Sequence, residues 1–206
     1  MKNSRNWIIF LLLGTLWGAM EVFGGEFLYA NDIPRSSVWL TAWAFFILAV
    51  GRGLVNVPGS SSVIGAVAAL FKLVNASPYY CHLLGIFFLG MFFDVAASYL
   101  MKKGRISTLR SSLSGIIGVY GGYTLFALVI TFIAGYGPWV AGGWPKVLNH
   151  IFIGGSIAAV AAAVLVPFGF KAGVSGETFT GRNPRWAYAG ASLVLVALWV
   201  LGRIAG

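Results

Sequence analysis

Five acidic residues, two histidines and one cysteine are the chemically versatile groups in a chain of 206 residues. Glu21 lies in LWGAMEVFGGE, inside an apolar run. A carboxylate at the middle of a bilayer costs about 2.5–3.5 kcal/mol and less near its edge, so Glu21 has to face protein or a cavity. It reads either as a ligand-binding or proton-carrying group, or as an interfacial carboxyl hydrogen-bonded to the next helix. Glu26, Asn31 and Asp32 follow in the polar stretch GGEFLYANDIPRSS, where solvation is the plain reading and ligand contact the functional one. Lys72 and Asn75 end another apolar run. The Lys72 amine either snorkels to the interface or pairs with Glu21 or an anionic ligand.

His82 and His150 each open an apolar run, His82 after Tyr79, Tyr80 and Cys81, His150 after Asn149. With Cys81 and Glu21 they carry donor atoms suited to a metal, but no two of them have the i, i+4 spacing of a helical ligand pair, and no metal or cofactor is expected. The aromatic residues near them, among them Tyr29, Tyr136, Trp139 and Trp144, include an interfacial belt. Aromatic walls carrying a few polar groups also suit an organic ligand. Asp94 stands apart, about 22 Å along its helix. It reads as an ion pair or hydrogen bond near Lys102 and Lys103, or as a proton-relay group.

Other chemistry finds little support. A single cysteine excludes an internal disulfide framework and a multi-cysteine metal site. GETFTGRN (residues 176–183) imitates a phosphate-binding loop, but Arg182 and Asn183 stand where Lys and Ser/Thr belong, and no strand precedes it. Asn75-Ala76-Ser77 matches a glycosylation acceptor and is followed by Pro78. Neither G-x-S-x-G nor H-E-x-x-H occurs, so the chain is not expected to be an enzyme.

The elements that have to position these groups are apolar helices. Apolar residues make up 59% of the chain and charged residues only 9%, against roughly 25% in soluble domains. A span needs about 20 apolar residues. Seven stretches are expected to cross: residues 7–23, 38–55, 60–74, 79–101, 113–134, 147–170 and 186–204. The third is the shortest and rich in Gly, Ala and Ser, as a helix buried among its neighbours would be. Barrel strands are shorter and alternate in polarity. Lys2 and Arg5 before the first span suggest a signal peptide, but the run is long and lacks a small-x-small cleavage site, so it reads as a retained helix.

The formal charge of +9 reads as topology rather than nucleic-acid binding, because the basic residues sit between apolar runs instead of clustering on a polar face. With the N-terminus inside, ten basic residues (Lys2, Arg5, Arg52, Lys102, Lys103, Arg105, Arg110, Lys171, Arg182 and Arg185) fall on the cytoplasmic side and four (Arg35, Lys72, Lys146 and Arg203) outside. The short basic loops also favour anionic inner-leaflet lipid. Residues 1–171 read as the main bundle, 172–185 as a cytoplasmic linker and 186–206 as an appended helix. Gly14 and Gly18 form a G-x-x-x-G, and Ala158 and Ala162 repeat the spacing in the sixth span; such residues let backbones approach, either within the bundle or against another subunit.

The stretch WGAMEVFGGE, the short third segment preceded by PGSS, the small-xxx-small first helix and the polar, aromatic loops expected outside resemble the S components of energy-coupling factor (ECF) transporters over residues 7–171. The resemblance implies an all-α integral membrane protein: a six-helix S-component-like bundle, here with a seventh, C-terminal transmembrane helix that departs from the family's usual six. It implies capture of a small micronutrient at the outer face and delivery inward with a transmembrane coupling subunit and ATPases. The positions implied for the ligand are Glu21, Glu26, Asn31, Asp32, Lys72, Asn75, Tyr79, Tyr80, His82, Trp139, Trp144, Asn149 and His150. Gly14 and Gly18 would dock the coupling subunit. The family's cobalt and nickel members begin Met-His; this chain begins Met1-Lys2-Asn3. Two alternatives stand beside this reading: a proton-coupled secondary transporter using Glu21 and Asp94, and a membrane haem or metal protein or enzyme using His82 and His150.

Overall fold

The computed structural model describes residues 2–73, 80–102, 106–182 and 184–205. It is all-helical, with no strand among those residues. The helices are α1 (Lys2–Ala19), α2 (Gly25–Ala30), α3 (Ser36–Leu54), α4 (Ser60–Lys72), α5 (Tyr80–Leu100), α6 (Thr108–Leu128), α7 (Gly137–Val140), α8 (Gly143–Leu148), α9 (Gly155–Arg182) and α10 (Pro184–Ala205). Three π-helical turns interrupt this order, at Met20–Gly24, Val129–Ile133 and Asn149–Gly154. The first joins α1 to α2 and the third joins α8 to α9 without a break, while the second extends α6.

Among the described residues, five helices are long and apolar enough to cross a membrane: Arg5–Ala30, Ser36–Leu54, Cys81–Leu100, Thr108–Ile133 and Gly143–Gly176. The expected third and seventh spans are not among them. α4 has 13 residues and spans about 20 Å, short of the roughly 30 Å of a hydrocarbon core. α10 runs over 22 residues, with Ala189–Ile204 an apolar stretch among its described residues.

Helix neighbours follow α1, α4, α5, α6, α9 and α3, and α3 returns to α1. Trp17, Phe45, Leu48, Ile64, Phe93, Val119, Ala158 and Ala162 fill the shared core. Glycine sets the closest approaches. A Cβ on Gly14 would lie 2.5 Å from the Val67 Cβ, and one on Gly18 would lie 2.6 Å from the Phe71 Cβ and 2.9 Å from the Ala68 oxygen. The G-x-x-x-G face therefore packs on α4. The stretch 172–182, expected as part of a linker, continues α9. Gly173 packs it onto α3, where a Cβ would lie 2.3 Å from the Val50 oxygen. α10 lies on α1, where Trp199 Nε1 donates to Thr15 Oγ1 at 3.1 Å, and the Trp199 ring meets Phe71 of α4 edge-on at 5.0 Å.

Pro167 sits inside α9. Proline has no N–H to give the carbonyl four residues earlier, and apolar surroundings offer no water to replace it. That carbonyl belongs to Ala163, and Ser112 Oγ of α6 donates to it at 2.6 Å.

Candidate functional site: an aromatic cavity above a buried ion pair

The two ends of the bundle have opposite characters. At one end Arg52, 1% exposed, forms an ion pair with Asp94 at 2.8 Å. Arg52 also donates to the Asp94 main-chain oxygen (2.9 Å), Ser98 Oγ (2.8 Å), Ser61 Oγ (3.2 Å) and Asn56 Oδ1 (3.3 Å). The Asp94 carboxylate accepts from Gly59 N at 2.8 Å and Ser61 N at 2.9 Å, which caps the start of α4. Asp94 thus pairs with Arg52 of α3, a partner that sequence spacing on its own helix does not reveal. Both carboxylate oxygens are committed to fixed donors, which suits a clasp between α3, α4 and α5.

The other end encloses a cavity of about 230 Å3. Its walls come from Glu21 of the first π-turn, Tyr29 of α2, Ser37, Leu40 and Thr41 of α3, Cys81, His82, Ile86 and Leu89 of α5, Tyr123 and Phe126 of α6, Trp139 of α7 and His150 of the third π-turn. Two of the three π-turns therefore deliver a polar side chain to it. A π-turn inserts an extra residue into the helical repeat and recurs at functional sites.

Glu21 is 6% exposed. Its Oε1 accepts from Trp17 Nε1 at 3.1 Å. Lys72 reaches the same residue through the backbone, donating to the Glu21 main-chain oxygen at 2.6 Å. The carboxyl group lines the cavity with no other hydrogen-bond partner among the described residues. Opposite it, the His150 ring stacks on Tyr123 at 4.4 Å and 12° and meets Trp139 edge-on at 5.1 Å. Phe126 packs edge-on against Trp139 at 5.1 Å, and Tyr29 stacks over His82 at 6.3 Å. Tyr123 OH and Thr41 Oγ1 share a hydrogen bond of 3.0 Å. The result is an aromatic slot with a carboxyl group and several hydroxyls.

Of the expected ligand residues, Glu21, His82, Trp139 and His150 meet in this cavity. Lys72 is buried behind Glu21. Glu26, Asn31, Asp32 and Trp144 are exposed and do not line it. Asn31 Nδ2 closes α2 by donating to the Phe27 oxygen at 2.8 Å, and Trp144 lies against Phe132. Asn149 lines an adjoining outer hollow. Asn75 and Tyr79 lie outside the described residues, as does the Tyr80 side chain. Tyr29, Ser37, Thr41, Tyr123 and Phe126 are cavity residues that the ligand set lacked. Tyr123 carried a usable signal, because a phenol in the middle of an apolar helix needs a partner for its O–H.

The fold and site define an all-helical protein with apolar helices long enough to cross a membrane and a small aromatic cavity between them. No protein-family model, curated protein or solved structure matches the chain.

Proposed function

We propose that the chain is a membrane-embedded capture subunit for a small, ring-containing nutrient, working as ECF-type S components do. The observation that carries this reading is the Glu21 carboxyl group opening into a cavity walled by Tyr123, Trp139, Phe126 and His150. Aromatic walls bind a planar ring by offset stacking, and a buried carboxyl group fixes its orientation through a hydrogen bond that water cannot replace once the site is closed. The cavity is smaller than the roughly 300–1,000 Å3 of drug-sized pockets, which favours a compact molecule of one or two rings.

In this reading the main bundle and the added C-terminal helix sit in the cell membrane with the N-terminus cytoplasmic and the cavity facing outward. The segment from Gly24 to Ser37, which includes α2, covers the ligand. Release inward is driven by a transmembrane coupling subunit and its ATPases. The proton-coupled alternative is less well supported, because Asp94 would have to exchange a proton while both its oxygens hold Arg52 and the start of α4.

The test is affinity purification of the tagged chain from native membranes in a mild detergent. Co-recovery of a second membrane subunit and an ATPase is expected. Recovery of the chain alone, under conditions that keep other membrane complexes intact, overturns the subunit reading.

A further inference from the structure

A second hollow of about 410 Å3 adjoins the cavity across Ser37, Trp139 and His150, which line both, and is lined further by Arg35, Lys146 and Asn149. Charge is divided between the two. The inner cavity holds Glu21 and neither of these cations; the outer hollow holds Arg35 and Lys146 and no carboxylate.

Local structure fixes the backbone that carries Arg35 and the ammonium of Lys146. Arg35 precedes α3 with φ 58°, and Asp32, three residues earlier, has φ 49°. Left-handed backbone is unfavourable for residues with a Cβ and persists where the surroundings impose it. Lys146 Nζ donates to the Pro138 oxygen at 2.8 Å and lies 5.1 Å from the centre of the Trp139 ring. Its ammonium is thereby held over the residue that separates the two hollows. At the inner end Lys72 sits behind Glu21 and offsets its charge, so a neutral N–H donor is enough to satisfy the carboxyl group.

On the strength of the capture reading, we infer that the ligand is bipartite: a planar ring with an N–H donor turned toward Glu21, carrying a carboxylate or phosphate that reaches back to Arg35 and Lys146. The ring occupies the slot between Tyr123, His150 and Trp139. The acid stays in the outer hollow, where cations attract it and water still reaches it. This ordering defines which end enters first. A molecule with its acid at the leading end brings only acceptors to Glu21 and leaves both groups without a donor, so it is disfavoured.

The experiment uses the full chain in nanodiscs, incubated with a small-molecule extract of cells, re-isolated and analysed by mass spectrometry. Wild type is compared with Glu21→Gln, with the pair Arg35→Gln/Lys146→Gln, and with the charge-preserving pair Arg35→Lys/Lys146→Arg. The expected result is enrichment of an aromatic compound bearing both an N–H donor and an acid. Its retention falls about tenfold or more in Glu21→Gln and in the charge-removing pair, the scale of one lost charge-assisted contact, and recovers in the charge-preserving pair. Retained compounds without an acidic group, or full retention by Arg35→Gln/Lys146→Gln when Glu21→Gln has lost it, overturn the bipartite ligand and leave the capture reading standing. If no retained compound depends on Glu21, both fall.

Discussion

Lys72 holds Glu21 by its main-chain oxygen, at 2.6 Å, and leaves the carboxyl group to Trp17 and the cavity. Anchoring and ligand contact are thus divided between the backbone and side chain of one residue. Glu21→Gln keeps an oxygen for Trp17 Nε1 and the Lys72 bond to the main chain, and removes only the carboxylate charge that offsets the buried Lys72 ammonium. The thermal midpoint in detergent should therefore fall only modestly. Ligand retention should fall about tenfold to a hundredfold, the range of a hydrogen bond to a charged group. A large fall in the midpoint would mean that the carboxyl group serves the fold instead.

The Arg52–Asp94 pair should behave in the opposite way. Asp94→Ala strands a buried guanidinium and removes the cap of α4. A loss of about 3–5 kcal/mol is expected. Ligand binding measured well below the midpoint should be unchanged, because neither residue lines the cavity. Combining Asp94→Ala with Arg52→Met should recover part of the stability, but not the share due to Gly59 N and Ser61 N.

Ser112 and Pro167 should be coupled through the Ala163 carbonyl. Ser112→Ala leaves the Ala163 carbonyl without its donor and should lower stability by about 1–3 kcal/mol. In a Pro167→Ala background the restored N–H satisfies that carbonyl, so the same serine change should cost much less. A double-mutant cycle of thermal midpoints reads the difference; strict additivity would show that the serine bond does not replace the missing one.

Gly18→Val tests what the small-residue face of α1 is for. A Cβ there comes within 2.6 Å of the Phe71 Cβ and 2.9 Å of the Ala68 oxygen, so α1 and α4 have to separate. Overpacking of this kind costs about 1–3 kcal/mol or more, and the isolated chain should lose thermal stability and monodispersity. Unchanged stability together with loss of a co-purifying subunit would return this face to the docking role.

The sequence made some of this legible and hid the rest for definable reasons. Long apolar runs announce helices, and scarce charges inside them mark Glu21, His82 and His150, three residues that meet in one cavity. Spacing along one helix cannot name a partner on another: it points Asp94 to Lys102 and Lys103, whereas its partner is Arg52, 42 residues away. Polarity also points to Glu26, Asn31 and Asp32, which are exposed outside the cavity, and away from Thr41, Tyr123 and Phe126, which look like ordinary core until the helices that carry them meet around the cavity. Glycine 173 read as a linker residue because glycine breaks isolated helices; against Gly53 it lets two helices touch.

The π-turns give segment length a meaning of its own. Each holds one more residue than a regular α-turn, and the wider turn absorbs it, so the helices on either side keep their register. Deleting a single position at Met20–Gly24 or Asn149–Gly154 would restore regular helix and close the widened turn that presents Glu21 or His150 to the cavity. Single-residue insertions and deletions at these points should therefore abolish binding even where every cavity side chain is kept, so the cavity is encoded by spacing as much as by residue type.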